Sequence, residues 1–259
     1  MIYYKTNEEI ELIRESSLLV GKALAEVAKH IKPGITTLEL DKVAEEFILD
    51  NGASPAFKGY HGFPNSLCIS LNAQVVHGIP GKYELKEGDV VSVDCGVLKN
   101  NFYGDSAYTF IAGEGKPEVL KLLEVTKESL YKGLENVVVG KRIGDISNAV
   151  QEHAESNGYS VVRELVGHGV GRKLHEDPEV PNYGKRGAGQ KLQKGLVIAI
   201  EPMINMGKKN VRQERDGWTI TAVDGLPSAH FEHTVAVGLD KVDILSSFEE
   251  IEKVIRAKK

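Results

Sequence analysis

The chain has 259 residues, 41% of them apolar and 27% charged, and a formal net charge of −5. Those values belong to an ordinary soluble globular protein large enough to bury a sizeable core, and the acidic balance argues against a broad nucleic-acid surface or a nucleic-acid function. No apolar run approaches the ~20 residues of a membrane helix, and Met1 to Glu9 lacks the apolar core of a secretory leader. Cys68 and Cys95 form no Cys-x-x-Cys pair, which excludes a cysteine-based zinc site and suits a reducing cytoplasm; their spacing alone leaves a disulfide open.

In chain order, Thr6-Asn7-Glu8-Glu9 is a capping box, in which a hydroxyl and a carboxylate three residues on satisfy each other's free amides. It opens a helix with Ile10, Ile13, Leu24, Val27 and Ile31 on one face, and Pro33-Gly34 ends it. A second box, Thr36-Thr37-Leu38-Glu39, opens a helix that buries Leu40, Val43, Ala44, Phe47 and Ile48 and closes at Asn51-Gly52. A third helix is expected from Pro117 to about Val138. A fourth is expected from about Asp145 to Ser156, closed by Asn157-Gly158.

These segments repeat. Gly34 and Gly52 are spaced like Gly140 and Gly158, and Leu40, Val43 and Ala44 correspond to Ile146, Ala149 and Val150. Further on, Leu85-x-x-Gly88 and Leu192-x-x-Gly195 each precede an apolar strand that ends in a carboxylate, Asp94 or Glu201. Duplication is the simplest account. It implies one domain built of two α+β halves, about 1–115 and 116–259, related by a pseudo-twofold with strands on one face and helices on the other. Ligand sites tend to form between such halves.

Val90 to Phe110 reads as a hairpin. A two-residue loop at Lys99-Asn100 sets Asp94 directly opposite Asp105, with Cβ atoms roughly 4.5–5.5 Å apart. Like charges so placed repel, and a bound cation removes the conflict. A bulge that slips the register would instead send the two carboxylates apart. Two more segments carry candidates: Val166-Gly167-His168-Gly169-Val170-Gly171, where glycines admit close approach to a histidine, and His230-Phe231-Glu232-His233-Thr234. Taken singly, His168 reads as a turn histidine and Glu232 as a strand-end acid. Taken with Asp94, Asp105 and Glu201 they form four carboxylates and an imidazole, too oxygen-rich for structural zinc and suited to Mn, Fe(II) or Co(II). Two ions about 3.5–4 Å apart would use all five side chains and support amide hydrolysis.

Asp94, Gly104-Asp105-Ser106, Gly-His168-Gly-Val-Gly, Ala-Ile-Glu201-Pro-Met and Phe-Glu232-His-Thr together resemble the metal-ligand motifs of the type I methionine aminopeptidases, over essentially the whole chain. The resemblance implies the pita-bread fold, an α+β architecture with pseudo-twofold halves and a central antiparallel sheet covered by helices. It implies an aminopeptidase that hydrolyses the initiator methionine from nascent polypeptides with a small second residue, by attack of a metal-bridged water. By the same resemblance Asp105 and Glu232 bridge two divalent ions (Co, Mn or Fe(II), with Zn or Ni as further candidates). Asp94 completes one site, and His168 and Glu201 the other. Glu201 is the candidate general base, His77 contacts the scissile nitrogen, and His175 stabilises the carbonyl oxygen.

Tyr60, Phe63, Cys68 and Trp218 are expected to line an apolar slot for the thioether; for Cys68 alone, a core role is the plainer reading. His61 is read as pocket wall, His233 as support behind the ligands, and His30 and His153 as structural. The chain departs from relatives at Leu174, where an aromatic is common, and in having Phe57 and His230, which leaves the slot's contour open. The expected partner is a peptide N-terminus, with ribosome association, no membrane and a monomeric state in the cytoplasm. Neither a helical insertion nor a zinc-binding extension is expected. Two other readings remain: an Xaa-Pro peptidase, which usually carries an extra domain, and a metal-free peptide- or ribosome-binding protein on the same fold.

Overall fold

The structure is a computed structural model that describes residues 1–258. Helix α1 spans Asn7–His30 and α2 Thr37–Asp50; both open on the expected boxes, with Glu9 N donating to Thr6 Oγ1 and Glu39 N to Thr36 Oγ1, each at 3.2 Å. Helix α3 runs Pro117–Leu134, shorter than expected, because the β-branched Val137-Val138-Val139 leaves the helix and Val138 bridges Gly238. Helix α4 is Ile143–Ser156, and its start is fixed by Asp145 Oδ2, which accepts from Arg142 N at 2.8 Å. A fifth helix, α5 at Glu249–Ala257, was not expected. It packs Ile251, Val254 and Ile255 on the core from an otherwise charged sequence.

Helices α2 and α4 have equal lengths and start at corresponding points of the repeat. The bridges in front of them correspond too, Thr36 with Glu84 and Arg142 with Lys191. Gly34 and Gly140, which precede these helices, have φ of 91° and 94°, values only glycine adopts freely. One apolar core, including Leu24, Leu40, Ile48, Leu122, Ile146 and Ile198, lies between helices and strands.

The strands form four antiparallel groups. In the first, Val90–Lys99 pairs with Phe102–Ile111 and with Leu67–Leu71. The hairpin turn is Asn100-Asn101, not Lys99-Asn100. Both asparagines have positive φ, 52° and 62°, as a type I′ turn demands, and Asn tolerates this better than Lys. Lys99 therefore pairs with Phe102, Asp94 with Ala107, and Asp105 with Gly96. This corrects the expected register by two residues. A shift of two preserves the face, so the carboxylates remain on one side as diagonal neighbours rather than as an opposed pair.

A second group joins Val197–Ile200 to His233–Ala236 and to Gly167–Gly169, which in turn pairs with Glu176–Val180. The seam between these groups is made by hydroxyls: Thr234 Oγ1 donates to Asp105 O at 2.7 Å, Ser106 Oγ to Glu232 O at 2.6 Å and Thr109 Oγ1 to His230 O at 2.7 Å. Glu232 N also donates to Ala107 O at 3.0 Å. The seam thereby fixes the residues on either side of Glu232 against the strand that carries Asp105.

Candidate metal centre

A cleft of about 750 Å³ opens over this seam, and Asp94, Asp105, His168, Glu201 and Glu232 all line it, as do His77 and His175. Two close approaches set Asp105. Gly104 lets α1 come so near that a Cβ there would lie 2.4 Å from Ser17 N, and Gly96, opposite Asp105, has the Phe57 ring over it at 2.6 Å from its Cβ position. Glu201 follows directly on Val197–Ile200, and Asn182 Nδ2 donates to its carbonyl at 3.0 Å. Glu232 lies between the strands Ser228–His230 and His233–Ala236.

One donor atom each from Asp105, His168 and Glu232 falls within 4.8 Å of the others. His168 Nε2 lies 3.9 Å from Asp105 Oδ2 and 3.6 Å from Glu201 Oε1. Its Nδ1 is 2.9 Å from the Gly169 carbonyl, which can only accept, so the proton sits on Nδ1. Burial keeps this ring's pKa below the usual histidine value, so Nε2 presents a lone pair to the carboxylates. Lone pair against lone pair is repulsive, and a cation between them reverses the sign.

The carboxylates carry the same signature. Asp94 Oδ1, Asp105 Oδ1 and Glu232 Oε1 are buried and receive no hydrogen bond from the protein. Burial pushes Asp94 and Glu201 up to about 7. Burial and then the neighbouring acids, Asp94 foremost for Asp105 and Asp105 foremost for Glu232, hold the other two well above the carboxylate range. A buried acid without donors is costly to ionise. Four sharing one wall, with hard oxygen donors and one oriented imidazole, fit a divalent cation.

Two further cleft histidines, His77 and His175, differ from these. His175 Nδ1 is 2.8 Å from the Tyr60 hydroxyl, and its ring meets that of His168 edge-on at 4.1 Å. His77 ends the strand Gln74–Val76 with φ 59°. Burial lowers both to about 4, so each is a neutral hydrogen-bonding group at neutral pH.

Beside the centre, Ala56, Phe57, Phe63, Cys68 and Leu174 form a buried apolar cluster completed by Tyr60 and Trp218. Phe63 and Trp218 meet edge to face at 5.1 Å. Cys68 pairs across the strands with Asp94, so the slot's wall is one strand from the carboxylates. Burial raises its thiol pKa, and both cysteines are free. Leu174 is buried against the cluster to which Phe57 brings an aromatic ring.

His61 lines the cleft as expected. His233 does not reach the ligands: it stacks on Phe248 at 3.9 Å and its Nδ1 meets Ser246 Oγ at 2.6 Å, because it alternates to the opposite face from Glu232. The imidazole that does reach the cluster is His230, which the sequence reading noted only as a departure. It is 1% exposed, and its Nε2, 3.4 Å from Glu201 Oε2, has no other partner. The two-residue step from Glu232 was the available signal.

The family model for metallopeptidase family M24 matches residues 11–238. The chain is 53% identical to the methionine aminopeptidase of Clostridium perfringens, over 95% of this chain and 99% of that protein. It is 50% identical to methionine aminopeptidase 1 of Bacillus subtilis, over 95% and 99%. The crystal structure of methionine aminopeptidase from Thermotoga maritima superposes with a TM-score of 0.94 at 45% identity, covering 95% of this chain and all of that one. Prolidase from Pyrococcus furiosus shares the fold at a TM-score of 0.78 and 24% identity, and this chain spans 65% of it.

Proposed function

The chain belongs to metallopeptidase family M24 and, within it, to the methionine aminopeptidases; on that premise we propose that it removes the initiator methionine from peptides with a small second residue. The observation that carries this reading is the juxtaposition of donor-free carboxylates with an apolar aromatic slot one strand away. We propose one catalytic domain of two halves, about 1–115 and 116–259, with the site at their seam. Asp94, Asp105, His168, Glu201 and Glu232 would hold two divalent ions; donor atoms of Asp105, His168 and Glu232 lie within 4.8 Å of one another. Mn, Fe(II) or Co(II) suit this donor set best. When bound, the cations supply a nucleophilic water near neutral pH and polarise the scissile carbonyl.

The protein groups do the rest. Glu201 would take and return the proton moved in hydrolysis, with His168 Nε2 3.6 Å from one of its oxygens and His230 Nε2 3.4 Å from the other. His175 Nδ1 is 2.8 Å from the Tyr60 hydroxyl; with that hydroxyl as donor, the proton on Nε2 would meet the substrate carbonyl oxygen. His77, which also lines the cleft, would contact the departing amine. Phe63, Cys68, Tyr60 and Trp218 hold the methionine side chain, with Phe57 and Leu174 shaping the slot. A cytoplasmic monomer that meets nascent chains at the ribosome fits this activity; no helix among the described residues is long and apolar enough to cross a membrane.

The test is cleavage of Met-Ala-Ser against Ala-Pro-Ala, before and after chelation and with Mn(II) restored. Methionine release that chelation abolishes and Mn(II) restores supports the reading. Preference for Ala-Pro-Ala would give the site to prolidase chemistry, and metal-independent cleavage would refute the assignment.

A further inference from the structure

On the wall of the same cleft, the described residues include a buried Lys–Glu ion pair. Lys5 Nζ lies 2.6 Å from Glu176 Oε2, and both side chains are only 4% exposed. Lys5 also donates to Tyr3 O at 3.2 Å, and its own amide donates to Gly195 O at 2.7 Å, which ties its backbone to the loop entering Val197–Ile200. Glu176 uses its second oxygen to accept from Lys173 N at 3.2 Å. The chain makes room for the pair at Gly171, where a Cβ would lie 2.5 Å from Glu176 Oε1 and 2.6 Å from Lys5 Cε. Glu176 is thus gripped on both oxygens, and its backbone pairs with Gly169, the neighbour of His168.

The residue before it is His175. That histidine is exposed to the cleft, and its only side-chain hydrogen bond is the one with Tyr60. Its ring position therefore depends on where residues 173–176 hold its backbone. We propose that Lys5 is a positioning residue for the reaction: through Glu176 it locks the 173–176 segment and so sets His175 against the substrate carbonyl. The inference rests on the role given to His175 above. Removing one partner strands the other as a buried charge, which must move toward water and carries the adjoining backbone with it. A displacement of about 1 Å at a substrate-orienting group is enough to cost about 10²-fold in rate.

The test is a double-mutant cycle of Lys5→Met and His175→Ala on a methionyl peptide, with Mn(II) affinity measured in parallel by calorimetry. Lys5→Met is expected to lower kcat by about 10²-fold while KM and Mn(II) affinity stay within about twofold. Added to His175→Ala, it should cost almost nothing more, since both act through one group. Lys5→Met/Glu176→Leu replaces the pair with apolar side chains, so it should regain thermal stability yet keep the low kcat, because the Lys173 amide still lacks its acceptor. Additive losses in the cycle, a folded Lys5→Met with unchanged kcat, or full recovery of kcat in the apolar double variant would each overturn the inference while leaving the proposed function intact. Full activity in His175→Ala would instead overturn the reading of the site, and this inference with it.

Discussion

Two clusters of buried charge in this molecule answer the same problem in opposite ways. Lys5 and Glu176 neutralise each other at 2.6 Å, and both oxygens of Glu176 have donors. Asp94, Asp105, Glu201 and Glu232 face one another with only neutral imidazoles beside them, and three of the four keep a buried oxygen that no protein group satisfies. The first arrangement is complete as folded and contributes position. The second is costly as folded and becomes favourable only with positive charge from outside the chain. Burial alone does not mark a functional site; burial without a partner does.

Removing a carboxylate from the incomplete cluster should hurt function most and stability least. Asp105→Asn is expected to lower kcat/KM by on the order of 10³-fold, the equivalent of several kcal/mol of lost charge stabilisation. It should also raise the melting temperature of the chelator-treated protein at pH 8, because an amide replaces a buried acid whose ionisation its neighbours oppose. A drop in that melting temperature would break the contrast with Lys5–Glu176. Next in size, His175→Ala should cost about 10²-fold in kcat with little change in metal affinity, readable from steady-state kinetics and calorimetry. Phe63→Ala should act on the slot instead, raising KM for methionyl peptides about tenfold with kcat less affected.

The smallest expected effect is the pH dependence of the metal-free protein. Raised carboxylate pKa values mean that the folded state binds more protons than the unfolded one, so stability falls as pH rises through the folded values. The lowered histidines, His77 and His175 at about 4, act in the opposite sense between about 4 and 6.5 and mask the trend there. Above about 6.5 the histidines are neutral in both states. With Asp94 and Glu201 near 7, and Asp105 and Glu232 also raised by burial, the chelated protein's melting temperature should decline by a few degrees toward pH 8. Saturating Mn(II) should flatten that decline.

What the sequence made legible follows the range of the forces involved. The capping boxes at Thr6–Glu9 and Thr36–Glu39 were readable because donor and acceptor are three residues apart. The repeat was readable because glycines with positive φ cannot be replaced cheaply. The four acids and His168 were readable as motifs, and the cleft brings all of them together. The hairpin register was misjudged because it turns on the left-handed tolerance of Asn101 against Lys99, a preference worth little locally and decisive for pairing. Helix α5 was missed because its three apolar contacts come from docking on a core assembled elsewhere. The reach of His230, in place of His233, to Glu201 was hidden for the same reason: Thr109, 121 residues away in the chain, holds the His230 carbonyl.

The account's central claim is that the four carboxylates and His168 are a cation site. Titrating Mn(II) into chelator-stripped protein at pH 7.5, followed by calorimetry in two buffers of different ionisation enthalpy, tests it most directly. The account predicts saturable binding with proton release and a rise in melting temperature, all lost in Asp105→Asn. Binding without proton release, or undiminished binding by Asp105→Asn, would contradict it.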